Sequence, residues 1–258
     1  MTRIFDALKK IHSAHGAAER AVEPPAPVAV PNPAVRSVRP MSGLPAERIG
    51  APYPIAIETA VPADTLREMT TLRVGLEAAL IDRVPRAVMF VSSQAGEGSS
   101  TVALEFALAL ALDNRIRTVL VDAHARRPSF DEMDPHGPAR LRIGAQPEGS
   151  RHLDVWPLAE VHHEHRLIPP AALRDLLEAA ASRYDWVVVD GPPVLEAADG
   201  ASLAALADAV VVVVHAGRTK RPVLARAVEL MRKAGARVMG SVLNRRRLEI
   251  PEFIYRRI

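Results

Sequence analysis

The sequence predicts an α/β fold in which helices cover both faces of a doubly wound, largely parallel sheet. Three observations predict it. Valine-rich segments such as Ala209–Val214 show no hydrophobic alternation, which indicates strands buried on both faces. These segments alternate along the chain with helical patterns. Two of them end in aspartate, and α/β proteins bind their ligands at the carboxyl ends of parallel strands.

Composition sets the limits on this fold. The chain has 258 residues, of which 48% are hydrophobic, enough for one large domain with tails. The net charge is only +3, and the absence of cysteine excludes disulfides, thiolate metal sites and cysteine nucleophiles. No apolar run approaches the roughly 20 residues that cross a bilayer, and the first residues lack an apolar signal core. We therefore expect a cytoplasmic protein.

Three regions follow one another along the chain. Residues 1–20 predict a short amphipathic helix. Residues 21–62 are rich in Pro, Ala and Val without periodicity, which predicts a disordered linker. Residues 63–258 alternate helical and strand patterns, which predicts one folded domain.

The first half of this domain contains a strand and a glycine-rich turn. A helical pattern over 64–82 precedes an apolar strand at Ala87–Val91. The segment Phe90–Thr101 (FVSSQAGEGSST) joins that strand to a helix at Val102–Leu112. The next apolar run, Thr118–Asp122, predicts a strand that ends in an aspartate, and an irregular stretch rich in Pro, His and Gly follows it.

The second half continues the alternation of strands and helices. A short strand at His152–Trp156 precedes a helix near 170–183. The run Trp186–Asp190 (WVVVD) then predicts a second strand that ends in an aspartate. The remaining elements follow the same pattern: the strand Ala209–Val214, the helix Pro222–Ala234 and the strand Arg237–Asn244.

The glycine-rich turn has the layout of a phosphate-binding loop. In such loops, successive backbone N–H groups and the N-terminus of the following helix converge on an anion. The usual pattern ends G-K-[ST], where the lysine reaches the outer phosphates and the hydroxyl holds magnesium. Gly96 and Gly98 are present and Ser100 supplies the hydroxyl, but Ser99 stands where the lysine belongs. The alternative is an ordinary tight turn that binds nothing.

The two strand-ending aspartates, Asp122 and Asp190, support the nucleotide interpretation. In P-loop NTPases, one strand-end carboxylate orders magnesium beside the loop hydroxyl, and another acts as a base or orients the attacking group. We therefore predict a Mg²⁺ site formed by Ser100, Asp122 and Asp190, with both aspartates as candidate catalytic residues.

The sequence resembles the cytoplasmic kinase domain of the bacterial tyrosine kinases that regulate exopolysaccharide and capsule synthesis, which are relatives of the partitioning ATPases. SSQAGEGSST resembles the Walker A loop of that family, VLVDAHARRPSF its second aspartate motif, and YDWVVVDGPPVLEAAD its Walker B segment. KAGARVMGSVLN resembles its last strand. The match covers about Asp64 to Arg257 and implies a P-loop NTPase fold of the partitioning-ATPase type.

The resemblance also implies a cofactor, ATP or ADP with Mg²⁺. It assigns cofactor binding to the loop and to two residues outside it: Gly96, Glu97, Gly98, Ser99, Ser100, Thr101, Arg126 and Asn244. Asn244 stands where relatives contact the adenine. The kinases use a tyrosine-rich tail as phosphoacceptor, and Tyr255 is the candidate acceptor here.

The sequence departs from the family pattern at the positions that carry its chemistry. Ser99 replaces the loop lysine, and His124 replaces the second acid of the D-A-D motif. The preceding helix has Arg67, Thr70 and Arg73 where the family has E-x-x-R-x-x-R, the motif for ring-like self-assembly. These departures predict weak nucleotide binding with little or no turnover.

The leading hypothesis is a tyrosine-kinase-like protein that regulates or scaffolds exopolysaccharide or capsule synthesis and export. A membrane polysaccharide co-polymerase or an active kinase paralogue would recruit it to the inner face of the plasma membrane, and homo-oligomerisation stays open. Two alternatives also stay open: an active ATP-dependent tyrosine autokinase of the same pathway, and a partitioning-type ATPase relative. We do not expect nucleic acid as a partner, because the basic tail lacks an aromatic platform or a reading helix.

Overall fold

The computed structural model of the chain describes residues 50, 52–55, 62–113, 115–126, 128 and 153–246. The chain divides into two units, Met1–Gly43 and Leu44–Ile258, and all the described residues belong to the second. The predicted helix at 1–20, most of the predicted linker and the candidate acceptor Tyr255 lie outside the described residues.

A seven-stranded sheet forms the centre of the described chain. Its strands in chain order are β1 (Tyr53–Ile55), β2 (Arg86–Ser92), β3 (Thr118–Asp122), β4 (Leu153–Trp156), β5 (Trp186–Asp190), β6 (Ala209–His215) and β7 (Val238–Asn244). They lie side by side in the order β1-β4-β3-β5-β2-β6-β7. All neighbouring pairs are parallel except β1 and β4, which are antiparallel. The predicted α/β class with a largely parallel sheet is confirmed.

Six α-helices lie between these strands within the described residues. They are α1 (Ala63–Ala79), α2 (Ser99–Ala111), α3 (Leu158–His162), α4 (Pro170–Ala180), α5 (Gly200–Ala204) and α6 (Arg221–Lys233). Residues of α1 and α2 pack in one hydrophobic cluster, and residues of α3 to α6 pack in another. None of these helices is both long and apolar enough to cross a bilayer.

The central strand β2 shows why the strands lack hydrophobic alternation. Val88 and Phe90 belong to the cluster of α1 and α2, whereas Met89 and Val91 belong to the other cluster. Successive side chains of a strand point to opposite faces, so each face of the sheet is covered by helices. A strand with two buried faces is apolar at every position, which is the pattern that the sequence shows.

Helix α2 is anchored to the sheet by aromatic packing. The Phe106 ring lies 5.3 Å from that of Phe90 and 5.7 Å from that of Trp186, measured between ring centroids. All three side chains are fully buried, and removing one such ring from a core costs about 3–5 kcal/mol. This packing fixes α2, and with it the loop that enters the helix, against the carboxyl end of β2.

Two of the differences from the sequence prediction concern strand β1 and the start of helix α2. Strand β1 lies within the 21–62 segment that we predicted as linker. A three-residue strand is too short to show alternation, and its Pro54 is tolerated because the strand is at the sheet edge. Helix α2 begins at Ser99 rather than at Val102, which places the end of the loop motif inside the first helical turn.

Candidate nucleotide-binding site

The carboxyl ends of three neighbouring strands bring the predicted site residues together. Strand β5 lies between β3 and β2, and Asp122 and Asp190 are direct register partners. Phe90 of β2 is the partner of Asp190 on the other side, two residues before the end of β2. The glycine-rich loop that follows β2 therefore begins beside Asp190, with Asp122 one strand further across the sheet, and both aspartates are buried.

Two glycines give the loop its path into α2. Gly96 has φ +80° and Gly98 has φ +95°, in the region that favours glycine. Gly98 is the N-cap residue of α2. A Cβ atom added at Gly98 would lie 2.1 Å from Nδ2 of Asn244, so a larger residue here would displace the Asn244 amide as well as strain the backbone.

The Glu97 side chain holds the loop from the inside. It is only 5% exposed, and its Oε2 accepts hydrogen bonds from the backbone N–H groups of Ser93 at 2.7 Å and Gln94 at 3.2 Å. Its Oε1 accepts a hydrogen bond from the hydroxyl of Thr219, in the connection between β6 and α6. A buried carboxylate is stable only with such donors. We predicted Glu97 as a cofactor-binding residue, and the structure gives its carboxylate protein partners.

Asn244 connects the last strand to the same loop. Its Nδ2 donates a hydrogen bond to the carbonyl of Glu97 at 3.1 Å, and its Oδ1 accepts one from the N–H of Arg245 at 2.8 Å. Thr219, after β6, thus binds the side chain of Glu97, and Asn244, at the end of β7, binds its backbone. The predicted contact of Asn244 with the adenine stays a prediction.

The segment after β5 runs along the loop and adds a third support. The N–H groups of Val194 and Leu195 donate to the carbonyls of Ser92 and Ser93, at 2.9 and 3.2 Å. The carboxylate of Glu196 accepts a hydrogen bond from the N–H of Ala95 at 2.9 Å. The first three loop residues, 93–95, therefore donate their backbone N–H groups to carboxylates of the protein itself.

The residues that enter α2 fit a bound phosphate group. Ser99 is the first residue of the helix and is 6% exposed, Ser100 is half-buried, and the helix has no side-chain cap. A helix N-terminus without a cap favours an anion. Within the described residues, the hydroxyl of the fully buried Ser93 has no hydrogen-bond partner. A ligand group or a water molecule would give such a hydroxyl its hydrogen bond.

The predicted magnesium ligands lie at this edge without forming a complete metal site. No group of three or more His, Cys, Asp or Glu side chains that could hold a metal ion occurs among the described residues. Ser100, Asp122 and Asp190 would therefore share Mg²⁺ with water and nucleotide phosphates, which is how Mg²⁺ is usually held. Asp122 Oδ1 also accepts a hydrogen bond from the N–H of His124 at 3.0 Å. Arg126 is exposed in the turn that follows.

The arginines of α1 contact acidic groups of their own chain. Arg73 Nε lies 2.8 Å from Glu77 Oε1, and Arg73 Nη1 lies 3.7 Å from Asp113 Oδ2. Arg67 pairs with Asp64 one turn earlier on the same helix. The two arginines at the positions aligned with the family's self-assembly motif therefore already have partners within one chain.

Sequence reasoning missed Thr219 and Glu196. Both lie just beyond strands that flank β2, namely β6 and β5. Glu196 lies within the segment that resembles the Walker B motif, whereas the only signal for Thr219 was its position after a strand end. Glu97 was identified, but the inward direction of its carboxylate was not.

Several of the known proteins that this chain resembles are bacterial tyrosine-protein kinases. No protein-family model matches the sequence. The chain is 28% identical over 190 residues to the tyrosine-protein kinase YwqD of Bacillus subtilis, a match that covers 69% of this chain and 80% of YwqD. It is 27% identical over 175 residues to the succinoglycan biosynthesis transport protein ExoP of Rhizobium meliloti, where the match covers 62% of this chain but only 22% of ExoP.

A solved structure agrees with the sequence relatives. The kinase domain of VpsO is 26% identical and superimposes with a TM-score of 0.51, covering 71% of this chain and 98% of that domain. The chain is therefore a homologue of the bacterial tyrosine-protein kinases, with the P-loop fold of their kinase domains.

Proposed function

We propose that this protein is a tyrosine-kinase-like regulator or scaffold of exopolysaccharide or capsule synthesis and export, which holds a nucleotide weakly and transfers little or no phosphate. The pathway is supported by the kinship with ExoP, named for succinoglycan biosynthesis transport, and with the tyrosine-protein kinases CpsD and YwqD. In this proposal a membrane polysaccharide co-polymerase or an active kinase paralogue recruits the protein to the inner face of the plasma membrane.

The observation that carries the proposal is Ser99 at the start of α2. The loop keeps its glycines, its helix N-terminus and its two neighbouring aspartates, but it lacks the cation that family members place at this position. A hydrogen bond to a charged group contributes about 1.5–3 kcal/mol, so its loss weakens nucleotide binding about 10- to 150-fold. Loss of a charge donor from a transition state costs about 10²–10³ in rate. Binding is thus weakened and turnover is nearly abolished.

Calorimetric titration of the full chain with Mg·ATP and Mg·ADP tests this proposal. We expect dissociation constants in the micromolar to millimolar range, and we expect Ser99→Lys to tighten binding at least tenfold. Ser99→Ala is the matched control, because it removes the hydroxyl without adding charge, and it should change affinity little. If neither the native chain nor Ser99→Lys binds nucleotide, the nucleotide-binding part of the proposal is wrong.

The autokinase alternative is favoured by Arg126, an exposed cation four residues after Asp122 that can serve as a phosphate clamp. It predicts transfer of phosphate from ATP to Tyr255. Incubation of the native chain with radiolabelled ATP measures this transfer, with Tyr255→Phe and Arg126→Gln alongside. Labelling that is lost in both variants would replace the scaffold proposal by the autokinase.

A further inference from the structure

A groove beside the nucleotide site has a lining that fits a protein segment. The groove has a volume of about 630 Å³. Helix α6 forms one wall, and two segments that border the phosphate loop form the rest. The lining residues that matter here are Gln94, Leu195, Val223, Arg226, Leu230 and Lys233. We call this feature the α6 groove.

The floor of the α6 groove is apolar and open to solvent. Leu230 is 41% exposed on α6, although its neighbour Met231 is fully buried in the core. Val223 on α6 and Leu195 in the segment after β5 also line the groove and are half-buried. An exposed leucine by itself means little, but one that lines a concave apolar surface marks a binding position.

The groove is lined by two basic residues, Arg226 and Lys233, which we call its rim, and by one acidic residue, Glu229. Between residues 216 and 233 the chain has six basic residues and one acidic residue, Glu229. The basic residues are all exposed: Arg218, Lys220, Arg221, Arg226, Arg232 and Lys233. Glu229 binds Lys233 at 2.6 Å, whereas Arg226 has no ion pair within the part of the chain that the structure describes. The rim therefore attracts acidic groups.

We infer that the α6 groove binds a short amphipathic segment of a partner protein, with apolar side chains on the groove floor and acidic side chains against the basic rim. A concave floor of aliphatic side chains favours a peptide over nucleic acid, whose bases stack on aromatic side chains that this groove lacks. It also favours a peptide over a lipid surface, which is too flat to enter. Amphipathic helices are commonly bound in such grooves. This inference gives the chemistry of the partner in the proposed function, and it rests on that proposal.

The groove is also connected to the phosphate loop. The N–H of Gln94 donates to the buried carboxylate of Glu97, and the N–H of Leu195 donates to the carbonyl of Ser93. Both residues line the groove as well as contacting the loop. A partner that holds these residues alters the loop, and by linkage a nucleotide in the loop alters the affinity for the partner to the same extent.

A synthetic peptide tests the groove on the full chain. The probe is a fluorescent 18-residue amphipathic helix with leucines on one face and glutamates flanking them, and anisotropy measures its binding. Arg226→Glu should weaken binding about five- to tenfold, because an attraction at the rim becomes a repulsion. Arg174→Glu, an exposed arginine on α4 outside the groove, should stay within twofold of the native chain. Leu230→Ser should weaken binding without reversing any charge.

A second peptide in the same assay gives the results that would contradict the inference. A second peptide, in which lysines replace the glutamates, should bind Arg226→Glu better than the native chain. Equal losses of peptide affinity in Arg226→Glu and Arg174→Glu would show unspecific charge attraction and would overturn the inference. Absence of peptide binding to the native chain would overturn it as well. Binding of DNA or of anionic phosphatidylglycerol vesicles that depends on Arg226, with no peptide binding, would assign the rim to another partner.

Titrations without and with Mg·ADP separate this inference from the proposed function. If the peptide binds specifically in the groove with an affinity that Mg·ADP does not change, the groove is a binding site but is not coupled to the loop. Failure of nucleotide binding in calorimetry, together with specific peptide binding, keeps the groove and refutes the nucleotide role.

Discussion

Replacing Gly98 by alanine tests how firmly the phosphate loop is held. The new Cβ would lie 2.1 Å from Nδ2 and 3.5 Å from Cγ of Asn244, and the backbone at this position has φ +95°. A non-glycine residue in the left-handed region costs about 1–2 kcal/mol. The Asn244 side chain must also turn away, which breaks its 3.1 Å hydrogen bond to the Glu97 carbonyl and costs about 0.5–1.5 kcal/mol.

The two effects together lower the free energy of unfolding by about 1.5–3.5 kcal/mol. Urea denaturation, followed by circular dichroism, measures this value directly. Two other glycines provide matched controls, since nothing lies within 4 Å of a Cβ added at either of them. Gly235→Ala has φ +90° and adds only backbone strain, about 1–2 kcal/mol. Gly75→Ala lies inside α1 and should stabilise by about 0.5–1 kcal/mol.

A double-mutant cycle with Asn244→Ala completes the test. With the Asn244 side chain removed, Gly98→Ala should cost no more than Gly235→Ala, because only the backbone strain is left. The reasoning is refuted if Gly98→Ala and Gly235→Ala destabilise the native chain equally, since the contact with Asn244 would then contribute nothing.

Three further predictions concern charged and hydroxyl groups. Glu97→Gln should lower the free energy of unfolding by about 1–3 kcal/mol in urea denaturation, because buried loop N–H groups lose a charged acceptor. Tyr184→Phe should cost about 1 kcal/mol, since the hydroxyl donates to Asp154 at 2.6 Å. Burial and this hydrogen bond raise the pKa of Tyr184 above its usual 10.0. The neutral hydroxyl therefore stabilises the folded state fully below pH 10, and this stabilisation is lost as the pH rises through the raised pKa. The side-chain hydrogen bond from Arg117 lowers the pKa of Asp185 below 3.8, so the pair stabilises above that pH and loses its effect as the pH falls through the lowered value.

Each of these predictions has a result that contradicts it. A Glu97→Gln chain as stable as the native one would mean that the neutral amide serves the loop equally well. For Tyr184, the difference in stability between Tyr184→Phe and the native chain should shrink above pH 10, and a constant difference contradicts the raised pKa. For Asp185, the difference between Asp185→Asn and the native chain should shrink on acidification, and it should not depend on pH between 6 and 8.

The sheet could be predicted from sequence because burial on both faces leaves a direct mark on composition. The runs that became β5 and β6 contain apolar residues at successive positions, which only a doubly covered strand requires. The proximity of Asp122 and Asp190 was also predictable, because the carboxyl ends of parallel strands lie at one edge of the sheet. Strand β1 was not predictable, since three residues that include a proline carry no periodic signal.

The supports of the loop could not be predicted, because they join distant parts of the chain. Glu97 and Thr219 are 122 residues apart, and Glu97 and Asn244 are 147 residues apart. No spacing rule connects residues at such separations, and the order of strands across the sheet must be known first. The resemblance to the kinase family identified Asn244 as a site residue without revealing that its amide group contacts the loop.

The order of the strands across the sheet has a consequence for folding on the ribosome. Met89 of β2 pairs with Val189 of β5 and Val210 of β6, both of which are synthesised long after the loop. Pairings at such separations form slowly, because a long segment of chain must be closed before any contact is made. The loop is complete only after β7 has left the ribosome and Asn244 has reached it. The loop therefore gains its support from Asn244 only when synthesis and folding of the sheet have finished.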